Sequence, residues 1–214
     1  MTRAADKLIS QITQDITSGV LQPGDQLKES FLAEKFGVSR TPIREAIRAM
    51  VRLGLLEAIP RKGVKVRILN TKELLDLFEV AAGLEGMASR LAAYSLTDEH
   101  AKVILSKLEN CKVAAENEDK VQYSIANIEF HAAIHEATNN RWLIEQLQHI
   151  GIHINTYRSL PYNVRERLSK STEEHEAICK AILAGEGSTA SQLMRDHMML
   201  QGQRLPSVLK FFTK

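Results

Sequence analysis

The chain of 214 residues is poor in the residues that crosslink or anchor a fold. It has two cysteines, Cys111 and Cys179, far apart and in no CxxC pair. That excludes a disulfide framework and a cysteine-based zinc knuckle, and it suits a reducing compartment. Aromatic residues make up 5% of the chain, with a single tryptophan. No apolar segment opens the sequence and no long uncharged stretch follows, so neither a signal peptide nor a membrane span is expected, and the expected location is the cytoplasm. No HExxH occurs, so a zinc peptidase gains no support. No repeat of fixed period is evident.

What is present is an aliphatic, helix-favouring composition, 44% hydrophobic, and an uneven distribution of charge beneath a net +2. Residues 1–69 carry twelve Lys or Arg against seven Asp or Glu. Residues 70–214 carry sixteen against nineteen. A basic front on a mildly acidic body suits a front that meets a polyanion, although many solvated surfaces are as basic.

Leu8, Ile9, Ile12 and Ile16 recur at helical spacing over residues 3–18, and Gly19 is a natural stop. LQPGDQL (21–27) reads as a turn. KESFLAEKF (28–36) reads as a short helix burying Phe31, Leu32 and Phe36. GVS turns the chain into a second helix, RTPIREAIRAMVRL, with Thr41 as its N-cap and Pro42 at the first helical position. LLEAI and VKVRI are strand-like runs either side of the turn PRKG (60–63). Helix, helix, turn, helix and a two-stranded wing make a winged helix-turn-helix, which presents its second helix to the major groove.

That second helix buries Ile43, Ile47 and Met50. Arg40, Arg44 and Arg48 form an adjacent stripe about 80° wide. Arginine pairs bidentately with guanine O6 and N7. A row of arginines elsewhere would be a solvated face; at a helix start after a tight turn, with Arg61, Lys62 and Gly63 at the tip of a following hairpin, it points to DNA.

The run FLAEKFGVSRTPIREAIRAMVRLGLLEAIPRKGVKV resembles the DNA-binding domain of the GntR family of bacterial transcription regulators. The resemblance spans nearly all of residues 5–68. It implies operator contacts by Ser39, Arg40, Thr41 and Arg44, with Arg48 a looser match, and wing-tip contacts at Lys62 and Gly63 toward the minor groove. Lys65 and Arg67, alternating with valines, are expected to meet phosphate or water. The resemblance also implies a homodimer on a pseudo-palindromic double-stranded operator.

The expected division is residues 1–68 for the winged helix, 69–74 for a linker and 75–214 for an all-α domain. Six helical stretches are predicted after the linker, at about 71–95, 97–116, 119–138, 141–160, 164–185 and 187–205. Asn127 and His131 lie one turn apart, and His175 and His197 fall on two later helices, so inward side chains of a bundle could converge on a metal. NIEFHAAIHEATNN, EEHEAICKAILAGE and MRDHM resemble, in order and spacing, the FCD subgroup in the FadR-like branch of that family. The resemblance implies a divalent ion, Zn²⁺ or Ni²⁺, held by Asn127, His131, His175 and His197, and a small-molecule effector, an organic acid.

Two departures stand out. Asn127 occupies a position more often held by aspartate, and Ala81 one that often carries an effector-binding arginine. Arg158 and Tyr157 are the candidate replacements on the effector. Two HxxxH pairs, His131/His135 and His149/His153, also have metal spacing; His135, preceding Glu136, is expected to border solvent. The rival readings are a His-rich helical metalloenzyme with an accessory nucleic-acid module, and a structural DNA-binding protein with no effector.

Overall fold

The computed structural model describes residues 3–60, 63–158 and 166–209, with the side chains of 158 and 200–209 outside that description. The chain divides into two compact units, residues 1–70 and 71–214. Among the described residues, no helix is long and apolar enough to cross a membrane.

The first unit contains α1 (Arg3–Thr17), β1 (Gln26–Leu27), α2 (Glu29–Phe36), α3 (Arg40–Arg52), β2 (Leu56–Ile59) and β3 (Gly63–Val66). Leu8, Ile12 and Ile16 of α1 are buried with Leu32 of α2 and with Ile43, Ile47 and Met50 of α3. Each such side chain contributes on the order of 1.5–3 kcal/mol by leaving water. Gly37 ends α2 in the left-handed region, at φ 63°, and its N–H returns to the carbonyls of Ala33 and Glu34.

Three expectations are corrected here. The N-cap of α3 is Ser39, not Thr41, and α3 starts at Arg40. Pro42 therefore lies in the third position, still within the first turn, where N–H groups have no helical partner to lose. Phe31 is 57% exposed, because a helix this short turns only Leu32 fully inward. The wing has three strands in the order β1-β3-β2, all antiparallel, and the third comes from the segment read as a plain turn. Leu27 pairs with Val64, and a Cβ at Gly63, whose φ is +95°, would sit 2.9 Å from the Leu27 carbonyl oxygen. Only glycine fits the start of β3.

The second unit is helical throughout its described residues: α4 (Thr71–Ser95), α5 (Asp98–Glu116), α6 (Lys120–Ala137), α7 (Arg141–Arg158), α8 (Arg167–Leu183) and α9 (Gly187–Leu209). Thr97 caps α5 by accepting from the His100 N–H, and Asp119 caps α6 by accepting from Val121 and Gln122. The buried stripe of α4 runs Leu74, Phe78, Ala81, Glu85, Ala88 and Ala92, small residues with a carboxylate among them. Small side chains let helices approach closely; at Gly86 a Cβ would lie 2.6 Å from Arg195 Cγ of α9.

Candidate DNA-reading face and metal centre

On α3, the side that does not face the core carries Arg40, Thr41, Arg44 and Arg48, all exposed, with the exposed cap Ser39 in front of them. Arg44 Nε donates to Glu29 Oε2 at 2.9 Å, so α2 already fixes the direction of one of the three arginines. Gly63 is exposed at the start of β3, while Lys62 and Arg61 lie outside the described residues. Lys65 pairs with Glu57, directly opposite on β2. That ion pair lies at the surface, with the Lys65 side chain still 30% exposed.

In the second unit, α6, α8 and α9 each turn one histidine into the core. His131, His175 and His197 are 1%, 0% and 1% exposed. Their ring centroids are 4.7–5.6 Å apart. One nitrogen from each ring lies within 4.8 Å of the others. His175 Nε2 and His197 Nε2 are 3.3 Å apart. Phe130 and Tyr123 wall the cluster, with Phe130 4.5 Å from the His175 ring, centroid to centroid.

Behind the rings stand two carboxylates that sequence reasoning missed. Glu85 of α4 lies 3.0 Å from His131 Nδ1 and 2.9 Å from His135 Nε2 through the same oxygen. Glu174 of α8 lies 2.6 Å from His197 Nδ1. With Nδ1 engaged in both rings, Nε2 is the nitrogen that each offers a metal. A carboxylate behind an imidazole fixes its tautomer and raises its basicity. Burial alone would raise the Glu85 carboxyl, but the charges and hydrogen bonds of His131 and His135 outweigh it and hold it well below the usual carboxylate range. Burial opposes ionisation of Glu174 as well; hydrogen bonds from His197 and Arg167 overcome it and hold its pKa at about 2. Arg167, 1% exposed, makes the bidentate pair with Glu174 at 2.9 and 2.8 Å.

Asn127 is one turn before His131 and completely buried, and neither its Oδ1 nor its Nδ2 has a hydrogen-bond partner. An orphaned buried amide costs about 1–3 kcal/mol. Its carbonyl oxygen is a suitable donor to a divalent ion, and three imidazoles with one oxygen form a donor set that suits Zn²⁺ or Ni²⁺. The residues present therefore fit the implied metal. Neither cysteine belongs to the cluster; both are buried free thiols, with Cys111 pushed by burial up to about 12 and Cys179 to about 11.

Of the remaining predicted positions, Tyr157 is 2% exposed on α7, and the Arg158 side chain lies outside the described residues. Ala81 is fully buried one turn before Glu85. His149 is exposed and His153 half-buried, as befits a surface pair. His135 departs from expectation: its side chain is only 14% exposed and turns to Glu85 instead of water.

Residues 4–66 match the gntR family of bacterial regulatory proteins, and residues 76–199 match the FCD domain. A probable D-xylose utilization operon transcriptional repressor of Paenarthrobacter nicotinovorans is 31% identical over 197 residues, covering 92% of this chain and 86% of the relative. The transcriptional repressor GlaR of Escherichia coli is 29% identical, covering 88% and 89%. The solved structure of E. coli McbR/YncC superposes with a TM-score of 0.83 over the full length of both chains, at 23% identity, which attests the shared fold. These relatives are transcription regulators and lend the metalloenzyme reading no support. The chain belongs to the GntR family of bacterial transcription regulators, joining its winged helix to an FCD effector domain.

Proposed function

We propose that this regulator binds operator DNA as a homodimer and that a small carboxylate controls that binding at a divalent ion held in the FCD bundle. The observation that carries the reading is the convergence of His131, His175 and His197 beside the orphaned amide of Asn127. These four side chains would hold Zn²⁺ or Ni²⁺, and the bound ion would supply a positive coordination position for an anionic oxygen. Glu85 and Glu174 would orient His131 and His197 as ligands, while Arg167 balances the charge of Glu174. Those groups leave a net charge near +1 once the ion is in place, which favours a monoanionic effector. Tyr157 and Arg158 would be auxiliary contacts to it.

On the DNA, Ser39, Arg40, Thr41, Arg44 and Arg48 would meet the major groove, and Lys62 and Gly63 the minor groove. A second copy is supported by α4. Val80, Met87 and Tyr94 are 57%, 42% and 64% exposed, with half-buried Leu84 and Leu91 between them. Their alternating spacing of four and three is that of a helix seam that packs against its own copy. A regulator of this kind would work in the cytoplasm, with the nucleoid.

The test is elemental analysis and thermal shift of the wild type beside His175→Ala. Protein purified without chelator should carry about one equivalent of metal per chain at this centre, lost in His175→Ala. A panel of small organic acids should stabilise the wild type and not the variant. A wild type that holds no metal and gains no stability from Zn²⁺ or Ni²⁺ defeats the metal reading. A metal-loaded wild type that no carboxylate stabilises defeats the effector reading.

A further inference from the structure

The three-histidine centre uses one nitrogen of His131. Its Nδ1 faces Glu85 at 3.0 Å, and Glu85, His131 and His135 bring one ligand atom each within 4.8 Å of the others. Neither the family resemblance nor the three-histidine centre requires His135. We infer that Glu85, His131 and His135 form a second divalent-metal site, on the outer side of His131, which that residue shares with the inner centre.

The geometry is built from two facing helices. His131 and His135 are spaced i, i+4, which places both imidazoles on one face of α6. Glu85 reaches them from α4, with Oε2 3.0 Å from His131 Nδ1 and 2.9 Å from His135 Nε2. Tetrahedral zinc with ligands at about 2.0–2.1 Å sets its donors roughly 3.3 Å apart, so the two Glu85 contacts, at 3.0 and 2.9 Å, would open by only a few tenths of an ångström. His131 and Glu85 are 1% and 6% exposed, but His135 is 14% exposed. The cluster therefore reaches solvent at His135, the side from which an ion would enter. One carboxylate and two imidazoles are the donors of a site for Zn²⁺, Ni²⁺ or Cu²⁺, not for Mg²⁺ or Ca²⁺.

The proton inventory is explicit. With the inner ion alone, His131 binds through Nε2 and its Nδ1–H donates to Glu85. When the outer ion enters, the bond from Nδ1 to hydrogen breaks, a bond from Nδ1 to the ion forms, and one proton passes to solvent. His131 then bridges two ions as an imidazolate. His135 binds as neutral imidazole through Nε2, its proton residing on Nδ1, and Glu85 is already ionised. No oxidant or reductant is involved.

The outer site shares His131 with the proposed inner centre; its three donors do not depend on that centre, and only the proton release rests on an inner ion at Nε2. The test is zinc titration of the full-length, chelator-stripped chain by calorimetry, repeated in buffers of different ionisation enthalpy, with elemental analysis after gel filtration. The wild type should take two equivalents, the weaker with release of about one proton. His135→Ala and Glu85→Gln should each lose one equivalent, and His149→Ala should keep both. Circular dichroism and thermal unfolding of each variant confirm that the bundle is intact; His135→Ala, at a partly exposed position, is the variant that decides. A single equivalent lost in His175→Ala and kept in His135→Ala overturns the second site and leaves the inner centre standing. A single equivalent lost in His135→Ala and kept in His175→Ala supports the second site and removes the inner one. A second equivalent that disappears in His149→Ala belongs to the surface pair and also overturns the inference.

Discussion

Replacing Asn127 with leucine separates metal binding from packing by the sign of its effect. Leucine has nearly the shape of asparagine and no hydrogen-bonding atoms. In the metal-free protein the wild-type amide is wholly buried with neither polar atom satisfied. Removing it should recover about 1–3 kcal/mol, less whatever the changed shape loses in fit, which for a near-isosteric swap is under about 1.5 kcal/mol. The apo variant should therefore range from about 0.5 kcal/mol less stable than the wild type to about 3 kcal/mol more stable. In a domain of this size the upper end is a rise of several degrees in Tm. With Zn²⁺ the balance moves toward the wild type, because the wild type gains RT ln(1 + [L]/Kd) from a site with four donors and the variant from one with three. The assay is thermal unfolding of both proteins in chelator and in a zinc series. An Asn127→Leu protein that is destabilised by several kcal/mol in chelator, and gains as much from zinc as the wild type, refutes the reasoning and makes Asn127 a packing residue.

Arg44→Ala should weaken operator binding by about 1–3 kcal/mol and relax preference at one base pair, while Glu29→Gln, which frees Arg44 from its partner, should lower the ratio of operator to random-DNA affinity; titrations on both DNAs check this. Lys65→Ala should change either affinity little, since Glu57 already meets its charge, and equal titration curves would bear that out. If the proposed homodimer forms through the α4 seam, Met87→Glu in its middle should give a monomer by light scattering at micromolar concentration where the wild type gives a dimer; a dimeric variant would place the contact elsewhere. Glu174 has a folded pKa of about 2, depressed from the ordinary carboxylate value. It therefore contributes stability that is complete above about pH 4.5 and is lost as the pH falls toward 2; Glu174→Gln should flatten that acid limb in metal-free unfolding curves.

The first unit was largely legible in sequence because its signals are local. A glycine in the left-handed region, a proline in a first turn and apolar residues at helical spacing declare their elements within a few residues. β1 escaped because two residues carry no period; only the pairing of Leu27 with Val64, far along the chain, makes them a strand. Phe31 escaped because a short helix has too few turns for apolar content to define a face. In the second unit the three histidines were readable by motif, but their carboxylate partners lie 46 and 23 residues away in sequence. A signal for them did exist. Glu85 falls in the buried stripe of α4 between Ala81 and Ala88, and Arg167 falls in that of α8, with half-buried Glu174 seven residues along. A charge at the period of the core has to be paired, whatever the chain does.

Under the proposed function, that pairing would give the bundle a physical route by which a ligand could act on DNA binding. The three imidazoles come from α6, α8 and α9, and the carboxylates behind them from α4 and α8. An ion at the centre would thus tie three helices directly and a fourth through Glu85. On that reading α4 would be the helix that carries the output. It begins at Thr71, directly after the first unit ends, and it carries the exposed seam of Val80, Met87 and Tyr94. An effector that pulls on the ion would load His131, and His131 would load Glu85, so the force would arrive at α4 at the level of that seam. A ligand shifts such an equilibrium only by its difference in affinity between two arrangements of the helices. Buried Glu85, whose carboxyl the two imidazoles hold well below the usual range, would give that difference a source. Its ionised state depends on the imidazoles beside it, so an arrangement that separates Glu85 from His131 would strand a carboxylate in the core, while an arrangement that keeps them together would not. The carboxylate that orients the metal ligand would in this way be the same group that makes the position of α4 sensitive to the ligand.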